Sequence, residues 1–175
     1  MSSKIMDWED CVNWVRDRQA KKQCVVFTNG CFDLLHAGHI HLLREASQLG
    51  DYLVVGVNSD ASVTRLKGPR RPVMGLEDRL AVLEAMTCVD VLVVFPLDGD
   101  PSETLADERV DTPYSLLQRL RPNVLVKGGD YRAEEVVGNE FVDEVCIVPL
   151  LEGHSTSKII QHLGLALDTE GSVQD

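Results

Sequence analysis

No CxxC pair, no GxGxxG or GxxxxGK[ST] loop and no apolar run near the roughly 18 residues of a membrane span occurs in this 175-residue sequence. Each absence removes a class. The five cysteines, Cys11, Cys24, Cys31, Cys88 and Cys146, leave an odd one over. That argues against a disulfide framework and for reduced thiols in a cytoplasmic protein. The opening MSSKIMDWED has no apolar core of a leader, so the expected localisation is cytoplasmic, with no membrane partner. Positive charge is scarce: 17 Lys and Arg face 28 Asp and Glu, a net charge of −11. Such a field repels polyanions, so nucleic acid is a poor partner. Without a dinucleotide loop or a P-loop, any phosphate site has to be built another way.

What is present is a core. Hydrophobic residues make up 44% of the chain, enough for one domain of this length. Five short β-branched runs stand out: 24–28, 52–57, 91–95, 123–127 and 145–150. They are continuous rather than alternating, as in strands covered on both faces. Helical spacing lies between them, over 34–49 and 76–86, and again at 7–19, where Trp8, Cys11, Val12 and Val15 share a face. Alternating strand and helix predicts an α/β domain with a five-stranded parallel sheet and helices on both faces. Its expected extent is 1–167, with a packed helix in 1–22, an acidic excursion at 96–114 and a flexible tail at 168–175.

One corner is chemically dense. In TNGCFDLLHAGHIH, three histidines fall within six residues, just after Gly30 closes the first strand. A helix starting there points its free N–H groups at the carboxyl edge of the sheet, where open α/β folds bind ligands. His36 and His39 are three apart and share a face if both are helical; His41 lies about 200° beyond His39 and should point elsewhere. Gly38 between the pair removes a side chain that could block close approach. A zinc site would need a third ligand such as Cys31, and the spacing is not that of HExxH. The remaining readings are a phosphate grip and an exposed helix start.

HAGH matches the HxGH signature of the nucleotidyltransferase superfamily. Three further blocks, VNSDASVTRLKGPRRPV (57–73), LVKGGDY (125–131) and EGHSTSKII (152–160), resemble one branch of it, the bacterial heptose-1-phosphate adenylyltransferases. The resemblance runs from about Val25 to Leu163 and implies a single Rossmann-like domain. The acidic 96–114 stretch is longer than that family leads one to expect. The resemblance also implies substrates and roles. ATP, brought with Mg²⁺, and a sugar 1-phosphate would be the partners, and a homodimer is compatible with the family. His36, His39 and Lys67 would act on the reacting phosphates. Cys31, Phe32, Asp33, Gly38, Asn58, Lys127, Gly128, Asp130, Ser155 and Thr156 would line the nucleotide. Arg71 and Arg79 would hold the acceptor phosphate, with an ion pair from Arg79 to Glu77 or Asp78 as its structural alternative. Ser155 and Thr156 are also placed to cap the helix that follows. Asp33 is a candidate Mg²⁺ ligand, although phosphate oxygens and water can hold that ion alone.

The chemistry fits this composition. An attacking phosphate is already an anion at neutral pH, so it needs no general base. It needs alignment and hydrogen-bond donors where charge builds up, and either protonation state of histidine supplies a donor. Rival readings are a cytidylyltransferase acting on glycerol phosphate or another alcohol phosphate, and a silent nucleotide-binding module docking through 96–114. The chain is too short for the tRNA-binding domains of a class I synthetase, whose paired motifs it faintly resembles.

Overall fold

The computed structural model describes residues 3–96 and 109–164. The acidic stretch 97–108, the expected domain end at 167 and the tail 168–175 lie outside the described residues. All five apolar runs are strands: β2 (Val25–Gly30), β3 (Tyr52–Asn58), β4 (Val91–Phe95), β5 (Val124–Gly128) and β6 (Glu144–Val148). A sixth precedes them, the two-residue β1 (Ile5–Met6). Every pairing is parallel, in the order β1-β4-β3-β2-β5-β6. The sheet therefore has six strands where five were expected. Two residues are too few to show a pattern, and β1 is held by tertiary contacts instead. The Leu92 N–H donates to Lys4 O, and Lys4 in turn is bonded to Glu84 and to Met86 O.

The strands are apolar throughout because both faces are covered. Val25, Phe27, Val54, Val93 and Leu125 face one way, onto α1 (Trp8–Ala20) and α5 (Tyr114–Leu120). Trp8, Cys11, Val12 and Val15 of α1 are buried there as the spacing predicts. Val26, Leu53, Val55, Val124 and Val126 face the other way, onto α2 (Ala37–Ser47) and α4 (Leu76–Glu84). The helix predicted over 34–49 thus starts only at Ala37. Another, α3 (Asp60–Lys67), lies in a stretch whose pattern predicts none, and Ser59 caps it by accepting from the Ser62 N–H. The last, α6 (Thr156–His162), is capped by Ser155, as expected, through the Lys158 N–H.

From β2 the chain steps outward through β3 to β4, then returns to lay β5 and β6 on the opposite side of β2. The order reverses between β2 and β5. At such a reversal the loops leaving two adjacent strands diverge and open a crevice at their carboxyl ends.

Candidate active site

The loop leaving β2 runs against local backbone preference. Phe32 and Leu34 have φ of 48° and 50°, in the left-handed region. Bulky residues there cost roughly 1–3 kcal/mol each and persist only when their surroundings over-determine them. Four braces do so. The Phe32 ring is buried in the core on the α2 side. The Asp33 carboxylate accepts from the Val73 and Met74 N–H groups, both at 3.0 Å, and pairs with Arg71 Nε. The Asp33 carbonyl accepts from Thr156 Oγ1 at 2.7 Å. The Cys31 carbonyl accepts from Arg79 Nη1. Burial opposes the Asp33 charge, but the two N–H groups and Arg71 outweigh it and hold the carboxyl below its ordinary range.

These bonds revise two expected roles. Arg79 is completely buried. Its guanidinium also reaches Asn58 O (2.8 Å), Asp60 Oδ1 (2.7 Å) and Met74 O (3.2 Å). It does not line the cavity, and its carboxylate partner is Asp60 rather than Glu77 or Asp78. A side chain so committed is a brace, not an acceptor contact. Asp33 is likewise spent as a metal ligand, since both its oxygens accept from protein N–H groups. Among the described residues no group of three or more His, Cys, Asp or Glu could hold a metal ion.

At the end of the braced loop sits the histidine pair. His36 is extended (φ −138°, ψ 173°) and is the N-cap of α2 rather than a helical residue. Its Nδ1 accepts from the Gly38 N–H at 3.1 Å, so the neutral ring carries its proton on Nε2. Although His36 is not helical, the pair still meets: the rings of His36 and His39 stack with centroids 3.9 Å apart and planes 24° apart. Gly38 makes this room. A Cβ there would sit 2.9 Å from His36 Cε1 and 3.4 Å from the His154 carbonyl. Burial lowers the His36 pKa, with the His154 charge adding to the effect. Burial, then the His36 charge, lowers His39 to about 4, against a partial counter-pull from Asp33. Both rings are neutral donors at neutral pH. His39 Nδ1 is buried without a partner among the described residues.

The rings face a cavity of about 660 Å³ at the β2/β5 reversal. Of the residues singled out in the sequence, Cys31, Phe32, Asp33, His36, Gly38, His39, Asn58, Lys67, Arg71, Lys127, Gly128, Ser155 and Thr156 line it. Asp130 and Arg79 do not, and neither does His41, the expected bystander. Asn58 is buried, and its amide donates to Ser62 Oγ and to Asp111 O. It anchors the segment entering α5, which itself borders the cavity. Lys67 ends α3, followed by Gly68 in the left-handed region with open space around its Cα. Burial raises the Cys31 thiol pKa, although Lys67, Arg79 and Arg71 pull it down. Burial also lowers Lys127. Asn29, Asp111, Tyr131, Glu135 and His154 line the cavity as well. They escaped sequence reasoning because each is an ordinary polar residue in its own segment. Only Asn29, beside Gly30 at a strand end, carried a local signal.

A pair of stacked imidazoles at the reversal point of a parallel sheet that carries no glycine-rich loop belongs to a Rossmann-like nucleotidyltransferase domain. Residues 27–162 match the cytidylyltransferase-like family, and the chain belongs to it. It is 47% identical over 160 residues to the bifunctional protein HldE of Helicobacter acinonychis, and 50% identical over 160 residues to that of Wolinella succinogenes. In both cases 91% of this chain is covered but only 31% of the relative, so the chain spans about a third of those proteins. Among solved structures, a lipopolysaccharide core biosynthesis protein from Thermoplasma volcanium aligns with a TM-score of 0.54 and 26% identity. That alignment covers 75% of this chain and 99% of the other. The pantoate-beta-alanine ligase of Francisella tularensis shares the fold at a TM-score of 0.57 and 19% identity, over 89% of this chain and 69% of its own. Among the described residues no helix is long and apolar enough to cross a membrane.

Proposed function

We propose that this domain transfers the adenylyl group of Mg·ATP to the phosphate of a sugar 1-phosphate, in particular heptose 1-phosphate, and releases pyrophosphate. The observation that carries this reading is the stacked neutral imidazole pair at the α2 N-terminus, facing a cavity with Lys67 and Arg71 on its wall. The four motif blocks and the likeness to HldE support the choice of ATP and of a heptose acceptor.

In the reaction an acceptor phosphate oxygen bonds to the α-phosphorus as the bond from that phosphorus to the pyrophosphate oxygen breaks. No proton has to move, because the nucleophile enters as an anion and pyrophosphate leaves as one. The protein therefore aligns and stabilises. The α2 N-terminus contributes free N–H groups, and His36 Nε2 donates toward the phosphates. Keeping the rings neutral avoids a buried imidazolium when the site is empty, and they remain donors when it fills. Lys67, at the C-terminal end of α3 on the cavity wall, meets the charge that develops.

Pyrophosphate release is the test. Mg·ATP with heptose 1-phosphate should turn over far faster than CTP with glycerol 3-phosphate. The opposite preference would make this a cytidylyltransferase. Nucleotide binding with no release from any phosphorylated acceptor would make it a silent module.

A further inference from the structure

The strands' alternation divides the cavity into two sides. Lys127 follows Leu125 at an interval of two on β5, and Asn29 follows Phe27 on β2. Leu125 and Phe27 both pack on the α1 and α5 face. His36 and His39 belong to α2, which covers the opposite face. Lys127 and the histidines thus approach the crevice from opposite sides of the sheet edge.

Lys127 is unusually placed for a lysine. Its only bond to a described residue is from Nζ to Asn29 Oδ1, at 3.2 Å, and no carboxylate among the described residues pairs with it. Two of its three donors are left over. Burial lowers its pKa most, with Cys31 pulling it back up and the nearby Lys67 charge adding a smaller push downward. A half-buried ammonium on a cavity wall near another cation, with no carboxylate partner among the described residues, is stabilised when a ligand supplies an anion. The surroundings on this side are suited to hydroxyls. Among the described residues neither the Asn29 amide N–H donors nor the exposed Glu135 carboxylate has a partner. Asp111 is different, since Arg65 takes its carboxylate through three hydrogen bonds of 2.7–3.1 Å.

We propose that this side of the cavity is the acceptor subsite, in which Lys127, oriented by Asn29, binds the phosphate of a polyhydroxylated phosphate ester while Glu135 and the Asn29 amide read its hydroxyls. The assignment rests on the transferase reading above and moves Lys127 from the nucleotide, where the family resemblance put it, to the acceptor. It also explains the strand geometry, because an acceptor arriving from the α5 side meets the α-phosphorus opposite the histidines that hold the triphosphate.

Lys127→Met preserves side-chain length and removes the charge. It should raise the KM for the sugar 1-phosphate at least about ten-fold, the size of one lost charge-assisted hydrogen bond. Mg·ATP affinity, measured by calorimetry, should stay within about two-fold. Asn29→Ala, which leaves the charge but frees its orientation, should give a smaller change in the same direction. Glu135→Gln should narrow the preference for sugar 1-phosphate over glycerol 3-phosphate. An equal loss of Mg·ATP affinity in Lys127→Met would return this residue to the nucleotide and overturn the assignment. So would an unchanged acceptor KM. If the wild-type domain releases no pyrophosphate, the transferase reading fails by itself, and calorimetry with glucose 1-phosphate decides this proposal. Binding that Lys127→Met weakens ten-fold upholds it; no binding, or binding that the variant leaves intact, overturns it.

Discussion

His39 shows how much one position carries. It touches Phe32 (centroids 5.4 Å) and His36 (3.9 Å), keeps a buried nitrogen without a partner among the described residues, and faces the cavity. His39→Ala should lower turnover about 100-fold or more, as expected when a donor to developing charge is removed. His41→Ala, two positions on and outside the cavity, should change little. The same substitution has a second signature. In the unfolded chain the imidazole titrates near 6.5, and in the native protein near 4. Between those values the unfolded chain binds the extra proton. Native stability is therefore complete above about pH 6.5 and declines as the pH falls toward 4. Urea midpoints across that window should fall less steeply in His39→Ala than in the wild type. Equal slopes would mean that the ring is not held neutral by its surroundings.

At the scale of elements, α2 and the loop before it carry the proposed phosphate site. The glycine between the histidines matters for space alone, because Gly38 is not in the left-handed region. Alanine would favour the helix by up to about 1 kcal/mol while its methyl pushes the His36 ring out of its stack. Gly38→Ala should thus keep or raise the Tm and still lose at least about ten-fold in kcat, since small misplacements at a reacting centre are costly. A variant with normal turnover would show that the stack is incidental. The histidine motif was legible in the sequence because its residues are consecutive. That His36 caps the helix instead of entering it was not, because the left-handed Phe32 and Leu34 depend on bonds from Val73, Met74, Thr156 and Arg79, far away in the chain. Side-chain spacing says which residues could share a face, not where the first turn begins.

Across the whole molecule, Arg79 joins the β2 loop, the end of β3, the start of α3 and the segment before α4 through one guanidinium. Arg79→Met would strand three carbonyls and the Asp60 carboxylate. It should cost about 2–4 kcal/mol, or roughly 5–15 °C in Tm for a domain of this size. Arg79→Lys should not restore it, because an ammonium cannot span the fork. Loss of acceptor affinity at unchanged Tm would instead support the contact role that the family resemblance implied. The parallel sheet, five of its strands and the packed face of α1 could all be read from hydrophobic runs. The side of the sheet from which Lys127 and Asn29 reach the crevice could not. Strands apolar on both faces hide their alternation until the helices are in place.

The hydrogen bond from Thr156 to the Asp33 carbonyl spans 123 positions of sequence. It makes the histidine corner dependent on residues that leave the ribosome long after it does. A nascent chain could pair β2 with β3 and β4 early, yet the corner would take its shape only when α6 docked, so capture of the proposed ligand would report the docking of that helix rather than collapse.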